Sequence, residues 1–312
     1  MSAPDVAKVG LVGARGHTGK ELLDLIAAHP RLSLSFASSR ELAGQDLVEH
    51  EQRYVALSPD DVATSDVDVL LLALPNGASE PYVRAIDARD RDVVIVDLSA
   101  DHRFDDAWAY GLVELHRPAL AGARRIANPG CYATGMQLAI APLLDVVQGP
   151  VHAFGVSGYS GAGTTPSRKN DVEVLKDNLL AYTLTGHVHE REVTRHLAHP
   201  VHFMPHVASF FRGIHLTVAL PLVEELPKDA LLSRLRAFAE SEPLVVLKDE
   251  APEVKDIAGK HHVEIGGLAV DGARAVVCAT IDNLLKGAAT QAIQNVNVAL
   301  GYDELLGIPR RG

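Results

Sequence analysis

At 312 residues, 47% of them hydrophobic and 22% charged, the chain is long for one core and has the composition of a globular protein of two domains. Its formal charge of −11 argues against nucleic acid or an anionic membrane as partner, although a basic pocket for a small phosphorylated molecule fits inside an acidic total. No apolar run is long enough to span a bilayer, the first residues do not read as a signal peptide, and two cysteines cannot build a disulfide framework, so the sequence predicts a cytoplasmic protein.

In chain order, Lys8 to Val12 reads as a short buried strand. It runs into Gly13-Ala14-Arg15-Gly16-His17-Thr18-Gly19, and the apolar spacing of Leu22, Leu23, Leu25 and Ile26 predicts a helix after that turn. Strand, glycine-rich turn and helix is the setting of a dinucleotide-binding turn, in which backbone N–H groups approach a pyrophosphate at the helix N-terminus. The spacing is looser than the strict fingerprint, so a plain tight turn of an α/β domain is the competing reading. The next strand, Leu32 to Ala37, ends in Ser38-Ser39-Arg40. An NAD site places an acid there for the ribose 2′-hydroxyl. Two hydroxyls and a guanidinium suit a 2′-phosphate instead, so NADP is the expected cofactor, against the alternative of a solvated loop.

Asp68 to Leu74 and Asp92 to Asp97 are near-continuous apolar runs, as parallel strands covered on both faces should be. Between them Pro75-Asn76-Gly77 turns into a helical stretch from Ala78 to Ala88. This rhythm predicts an α/β fold with a Rossmann-type, doubly wound parallel sheet. Ligands of such sheets sit beyond the carboxyl ends of the strands, which puts Asn76, Ser99 and Asp101 near the cofactor. Residues 101–126, including the only tryptophan, Trp108, receive no assignment. A short strand, Arg124 to Ala127, then leads into Asn128-Pro129-Gly130-Cys131. The apolar run from Met136 to Leu144 is long enough for a helix, so Cys131 is expected at a helix N-terminus, where the dipole favours the thiolate. A buried core cysteine is the other reading.

After Pro150 the pattern changes. Val151 to Val156 is a strand, and Ser157-Gly158-Tyr159-Ser160-Gly161-Ala162-Gly163-Thr164-Thr165 is either an anion-wrapping loop or a solvated one, with Arg168 and Lys169 beside it. Six histidines follow, at 187, 189, 196, 199, 202 and 206. Their spacing matches no standard ligand set and no paired cysteine joins them, so no metal is predicted; one of His187 and His189 is expected as a base for a distant thiol. Ile214 to Leu220 alternates cleanly, Ala230 to Ala239 is helical, and Leu244 to Leu247, Val263 to Val270 and Arg274 to Ile281 are strands. An inserted α+β domain with a mostly antiparallel sheet results, with Cys278 as a packing residue. Asp282-Asn283-Leu284-Leu285-Lys286-Gly287-Ala288 opens a last helix to about Leu300.

Taken together, the turn at 13–19, Asn128-Pro129-Gly130-Cys131-Tyr132, the loop at 157–163, His187-Val188-His189 with Glu192, Phe211-Arg212-Gly213-Ile214 and the stretch 282–288 resemble the N-acetyl-γ-glutamyl-phosphate reductase family of the aspartate-semialdehyde dehydrogenase superfamily. The resemblance runs over nearly the whole chain. It implies an NADP-binding domain at 1–150 completed by a C-terminal helix at 284–312, a catalytic and dimerisation domain at 151–283, assembly as a homodimer or homotetramer, and a place in arginine biosynthesis. It implies Cys131 as nucleophile and His187 or His189 as acid–base. Arg103, Asn128, Ser157, Ser160, Gly161, Glu192 and Arg212 are expected around an acyl-phosphate substrate, with Arg212 for its α-carboxylate. Gly13, Arg15, Gly16, His17, Thr18, Gly19, Ser38, Ser39, Arg40, Pro75, Asn76, Ser99, Asn283 and Lys286 are expected around NADP(H). Two departures stand out: Arg191 replaces the proline of a His-x-His-x-Pro-Glu pattern, and Thr164 stands where the family has a cation. The implied chemistry is attack of the thiolate on an acyl phosphate, loss of phosphate, and reduction of the thioester to an aldehyde. A sibling reductase of an aminoadipyl or aspartyl phosphate, a cofactor-free thiol hydrolase and a non-enzymatic NADP-binding regulator are the competing functions.

Overall fold

A computed structural model describes residues 5–47 and 50–309. The first strands and helices are β1 (Ala7–Val12), α1 (His17–Ala28), β2 (Leu32–Ser38), α2 (Pro59–Thr64), β3 (Val69–Leu72), α3 (Glu80–Asp87), β4 (Val94–Asp97), β5 (Ala109–Tyr110), α4 (Val113–Leu120) and β6 (Arg125–Ala127). There follow α5 (Cys131–Ile140), β7 (Val151–Gly158), β8 (Leu179–Ala181), α6 (Val188–Leu197), β9 (Val201–Ala208), β10 (Ile214–Pro221), α7 (Lys228–Ser241), β11 (Val245–Leu247), β12 (Val263–Asp271), β13 (Arg274–Ile281) and α8 (Thr290–Leu300). The chain divides into two compact units, residues 1–130 with 288–312, and residues 131–287. The change of pattern after Pro150 lies later than this division. Helix α5 packs on β10 and β13 of the second sheet, which draws the Cys131 helix into the second unit.

The first unit holds six parallel strands in the order β2-β1-β3-β4-β6-β5. Alternate strand residues feed two cores, as the two-residue period of a strand requires. Val9, Leu11, Val69, Leu71, Val94 and Val96 meet Leu22, Ile26, Val113, Ile293 and Val296, so α1, α4 and α8 cover one face. Val12, Leu70, Leu72 and Ile95 meet Val62, Tyr82, Val83 and Ile86, so α2 and α3 cover the other. The sheet is therefore doubly wound. The unassigned stretch 101–126 proves to contain β5 and α4. Neither shows in the sequence, because β5 is two residues long and α4 is kinked at His116, with Pro118 inside it. Helix α8 buries Gln291, Gln294, Asn295 and Asn297 as fully as its apolar residues. Their amide N–H groups donate to Gly111 O, Glu114, Asn128 and the Glu304 and Leu306 carbonyls, which offsets the cost of burying those donors.

The second unit is a seven-stranded mixed sheet, β8-β9-β7-β10-β13-β12-β11. The β9–β7 and β11–β12 pairs are parallel and the others antiparallel. Helices α5, α6 and α7 pack against it. The inward residues of β10, Ile214, Leu216, Val218 and Leu220, are fully buried. On the opposite face the rungs carry His152, Phe154 and Val156 of β7 beside His202, Met204 and His206 of β9, and His215, Thr217 and Ala219 of β10 beside Cys278 of β13. His152, Phe154 and His202 are exposed, and Cys278 is partly so. Among the described residues no helix is long and apolar enough to cross a membrane.

Candidate active site

In the first unit the glycine-rich turn joins β1 to α1. Gly13 has φ +88°, and a Cβ there would lie 2.1 Å from the Ala73 carbonyl oxygen, so only glycine fits. Gly13 and Ala14 donate their N–H groups to Ser38 O at 3.0 and 3.1 Å, tying the turn to the end of β2. The N-cap of α1 is Gly16, which brings no side chain, and no acid stands in its first turn. Helix α2 shows the contrast: Ser58 and Asp61 close a full capping box over its N-terminus. A twelve-residue helix that starts without a cap or an acid keeps its positive end for an anion, so the turn fits the pyrophosphate of a dinucleotide. Ser38 and Ser39 are buried, and their hydroxyls accept from Leu57 N and Leu42 N. Each keeps its own proton to donate, as a phosphate oxygen requires. Arg40 beside them is exposed, whereas Arg15 is ion-paired with Glu41 at 2.5 Å.

Beyond β3 and β4 the loop residues are cross-bonded. Asn76 Oδ1 accepts from Ala100 N at 2.9 Å, Pro75 O accepts from Ala78 N, and Ser99 donates to Asp97 at 2.8 Å. Arg103, expected at the substrate, commits Nε to Asn128 O and Nη2 to Leu98 O. Asn128 is in turn gripped by Asn295 through its Oδ1 at 2.9 Å and donates weakly to Ala288 O. These bonds fix the residue that begins the Pro-Gly turn before the cysteine.

In the second unit Cys131 is the first residue of α5, as its turn sequence predicts. Tyr132 anchors the helix by donating to His206 O at 2.7 Å. Around it lie four rings: His189 at 5.9 Å from Tyr132, His187 at 4.8 Å from His189, Phe203 at 4.7 Å from Tyr132, and Tyr182 at 5.7 Å from His187. Burial, with the neighbouring Cys131 adding to it, pushes the Tyr182 phenol well above its ordinary value. Lys169 Nζ stands 4.8 Å above the Tyr182 ring.

His187 and His189 are not equivalent. His187 is the N-cap of α6, its Nδ1 accepting from His189 N at 3.1 Å, which places its proton on Nε2. Burial, and then the charge of Lys169, lower its pKa to about 4. A histidine with a depressed folded value contributes stability that is present above its unfolded value and lost as pH falls. Thermal stability should therefore decline as pH drops from about 6.5 to about 4, and His187→Asn, which keeps a capping oxygen, should flatten that decline. Melting temperature against pH for the two proteins checks this. Glu190 supports the pair, its two carboxylate oxygens accepting from Gly186 N at 2.9 Å and Phe203 N at 2.8 Å.

Sequence reasoning missed Tyr182 and Glu190. Glu190 was within reach, because an acid three residues after an N-cap is a capping signal; Tyr182 carries no local signal at all. Two residues expected at a ligand are also bonded within the protein. Arg212, expected at a substrate carboxylate, places its Nε and Nη2 on Asp282 at 2.6 and 3.1 Å. Asp282 is fully buried and also accepts from Gly259 N, Leu284 N and Leu285 N, so the pair fastens a turn. Asn283, expected at the cofactor, donates its amide to Ser160 at 2.9 Å, and its Oδ1 accepts from Gly213 N at 2.7 Å. Ser157 and Ser160 line the same buried loop, next to Gly161; Ser157 donates to Gly158 O, and Glu192 and Lys286 are fully buried in α6 and in the turn before α8.

That turn contains Gly287, where a Cβ would lie 2.8 Å from the Cβ of Cys131. Gly287→Ala should displace the thiol and destabilise the unit by about 1–3 kcal/mol. Activity should fall more than stability explains, which parallel measurements of kcat and melting temperature resolve.

Against this geometry the comparisons with known proteins are specific. The family model described as "Semialdehyde dehydrogenase, NAD binding domain" matches residues 8–123, and the one described as "Semialdehyde dehydrogenase, dimerisation domain" matches residues 131–283. Solved structures of aspartate semialdehyde dehydrogenase II from Vibrio cholerae complexed with ASA and of aspartate semialdehyde dehydrogenase with NADP from Candida albicans share the fold. Their TM-scores are 0.78 and 0.72, with 18% and 14% identity over 96% and 95% of this chain and 99% of each of theirs. Fold and sequence patterns together define the semialdehyde dehydrogenase class. Curated relatives named N-acetyl-gamma-glutamyl-phosphate reductase are 59% identical in Xanthomonas axonopodis pv. citri and 53% in Xylella fastidiosa, over 96% of this chain and 98% and 93% of theirs. The chain belongs to the N-acetyl-γ-glutamyl-phosphate reductase family.

Proposed function

We propose that the protein reduces N-acetyl-γ-glutamyl phosphate to N-acetylglutamate semialdehyde with NADPH, in arginine biosynthesis. The observation that carries this reading is a cysteine on the first residue of α5, beside Tyr132 and the ring cluster that Tyr132 forms with His189, His187 and Tyr182, in a chain at least 53% identical to relatives of that name. The Cys131 thiolate attacks the acyl carbon and phosphate leaves, giving a thioester on sulfur. When bound, the nicotinamide cofactor supplies the hydride that reduces this thioester. We assign His189 the proton that goes to the resulting oxygen and returns as the thiohemiacetal collapses to aldehyde and thiolate. His187, neutral and committed as a cap, holds α6 and orients His189. Lys169, near Tyr182, is the cation we assign to the departing phosphate. The 2′-phosphate of NADP is assigned to Ser38, Ser39 and Arg40, and the pyrophosphate to residues 13–19 at the start of α1.

The open sheet face with Phe154, Met204 and Val156 is assigned to a second copy of the chain, giving a homodimer or homotetramer. A free thiol nucleophile fits a reducing cytoplasm, and both cysteines are free. The test is the reverse reaction. N-acetylglutamate semialdehyde, phosphate and NADP should yield NADPH only when all three are present, and a Cys131→Ala protein should yield none. No NADPH with this aldehyde, but turnover with the aminoadipyl or aspartyl semialdehyde, would reassign the substrate.

A further inference from the structure

His102 takes no part in the chemistry above, yet it is only 6% exposed and bonded at both ring nitrogens. Its Nδ1 lies 2.7 Å from Asp97 Oδ2 and its Nε2 lies 3.3 Å from Glu80 Oε2. Its ring stacks on Trp108, with centroids 3.9 Å apart and planes 18° from parallel. The histidine thus joins the end of β4 to the start of α3. From Asp97 the bonding continues into the loop after β4: Asp97 accepts from Ser99 N at 3.0 Å and from Ser99 Oγ at 2.8 Å, and Ser99 Oγ accepts from Asp101 N at 3.1 Å. Asp101 accepts from Gly77 N and from Ser79 Oγ, both at 2.7 Å. Ala100 N holds Asn76, and Arg103 holds the carbonyl of Asn128. One short loop therefore fixes the residues assigned to the cofactor on one side and the strand end that leads to Cys131 on the other.

We infer that His102 is a positioning residue, whose bridge between Asp97 and Glu80 sets the loop that presents Asn76 and Ser99 to the nicotinamide cofactor. This rests on the reading of residues 73–103 as a cofactor site. A doubly protonated ring donates to both carboxylates at once. A neutral ring has one N–H, and it turns a lone pair toward whichever carboxylate it does not serve. The charged groups that meet the ring are Glu80 of α3, itself paired with Arg84 at 2.9 Å, and Asp97 of β4, while Asp101 and Asp105 of the loop and Arg124 and Arg125 at β6 border the same groove as His102. Burial works against the imidazolium, but the bonds to Asp97 and Glu80 and their charges outweigh it, and the net shift of His102 is upward. With a raised folded value, the bridge is complete below the ordinary histidine range and is lost as pH rises through the folded value.

Trp108 is the only tryptophan, so its fluorescence reports this ring alone, a stacked imidazolium quenching it more than the neutral ring does. Fluorescence of the free enzyme and the dissociation constant for NADPH should be measured from below the ordinary histidine value upward. The expected result is a fluorescence rise at one midpoint and a weakening of NADPH binding by about three- to tenfold across the same midpoint. Glu80→Gln removes one carboxylate at a half-exposed position and should move both midpoints down together. His102→Phe keeps a ring on Trp108 and should abolish both transitions, and His102→Gln serves in its place if the phenylalanine variant does not fold. A fluorescence titration with NADPH affinity flat across it, or with Glu80→Gln moving only the fluorescence midpoint, overturns the positioning role and leaves the reductase reading intact. NADPH binding at no pH overturns the cofactor reading itself, and this inference with it.

Discussion

Replacement of Cys131 by alanine is expected to lower kcat by at least about 10⁴-fold while leaving NADPH affinity and the melting temperature near those of the unaltered protein. The size follows from the chemistry. Without the thiolate no thioester forms, and hydride transfer to an acyl phosphate in one step has no covalent intermediate to divide the barrier. The small structural effect follows from the position: Cys131 is the first residue of α5 and only partly buried, so loss of its sulfur leaves no large cavity. Serine at this position should be almost as inactive, because a hydroxyl is far less ionised than a thiol at neutral pH. The direct check is intact-protein mass after mixing with the acyl phosphate alone. The unaltered protein should gain an acyl group that hydroxylamine removes; Cys131→Ala should gain none. An acyl adduct on the alanine variant, or retention of more than about one-hundredth of the activity, contradicts a thioester on this residue.

The second large effect separates two neighbouring histidines. His189→Asn is expected to lower kcat by about 10²–10⁴-fold, the range associated with loss of a positioned acid–base group. His187→Asn should lower it by less than about tenfold, because asparagine is as good an N-cap as the imidazole it replaces. The pH dependence should differ as well. With its pKa lowered to about 4, His187 stays neutral across the working range and contributes no limb to the rate profile near neutrality. The shape of the kcat/KM profile near neutrality should therefore be unchanged by His187→Asn. The opposite pattern would give the proton transfer to His187, with His189 as its support.

Much of this protein is written locally in its sequence. Gly13 is required by a positive φ and a close carbonyl, Cys131 heads a helix because Pro129 and Gly130 cannot continue the strand before it, and β10 shows its buried face in the alternation of Ile214, Leu216, Val218 and Leu220. Turn chemistry and periodicity act over a few residues, so they can be read without the fold. What the tertiary structure alone decided are the pairings between distant positions. Nothing local shows that Arg212 meets Asp282, that the Asn283 amide lies between Ser160 and Gly213, or that folding brings Tyr182 to His187 and Cys131. Nor did the polar side chains of α8 announce their burial, since each amide donates to a group outside the helix. The physical reason is the same in every case. A hydrogen bond or ion pair depends on distance in space, and a sequence records which groups are present but not which of them meet.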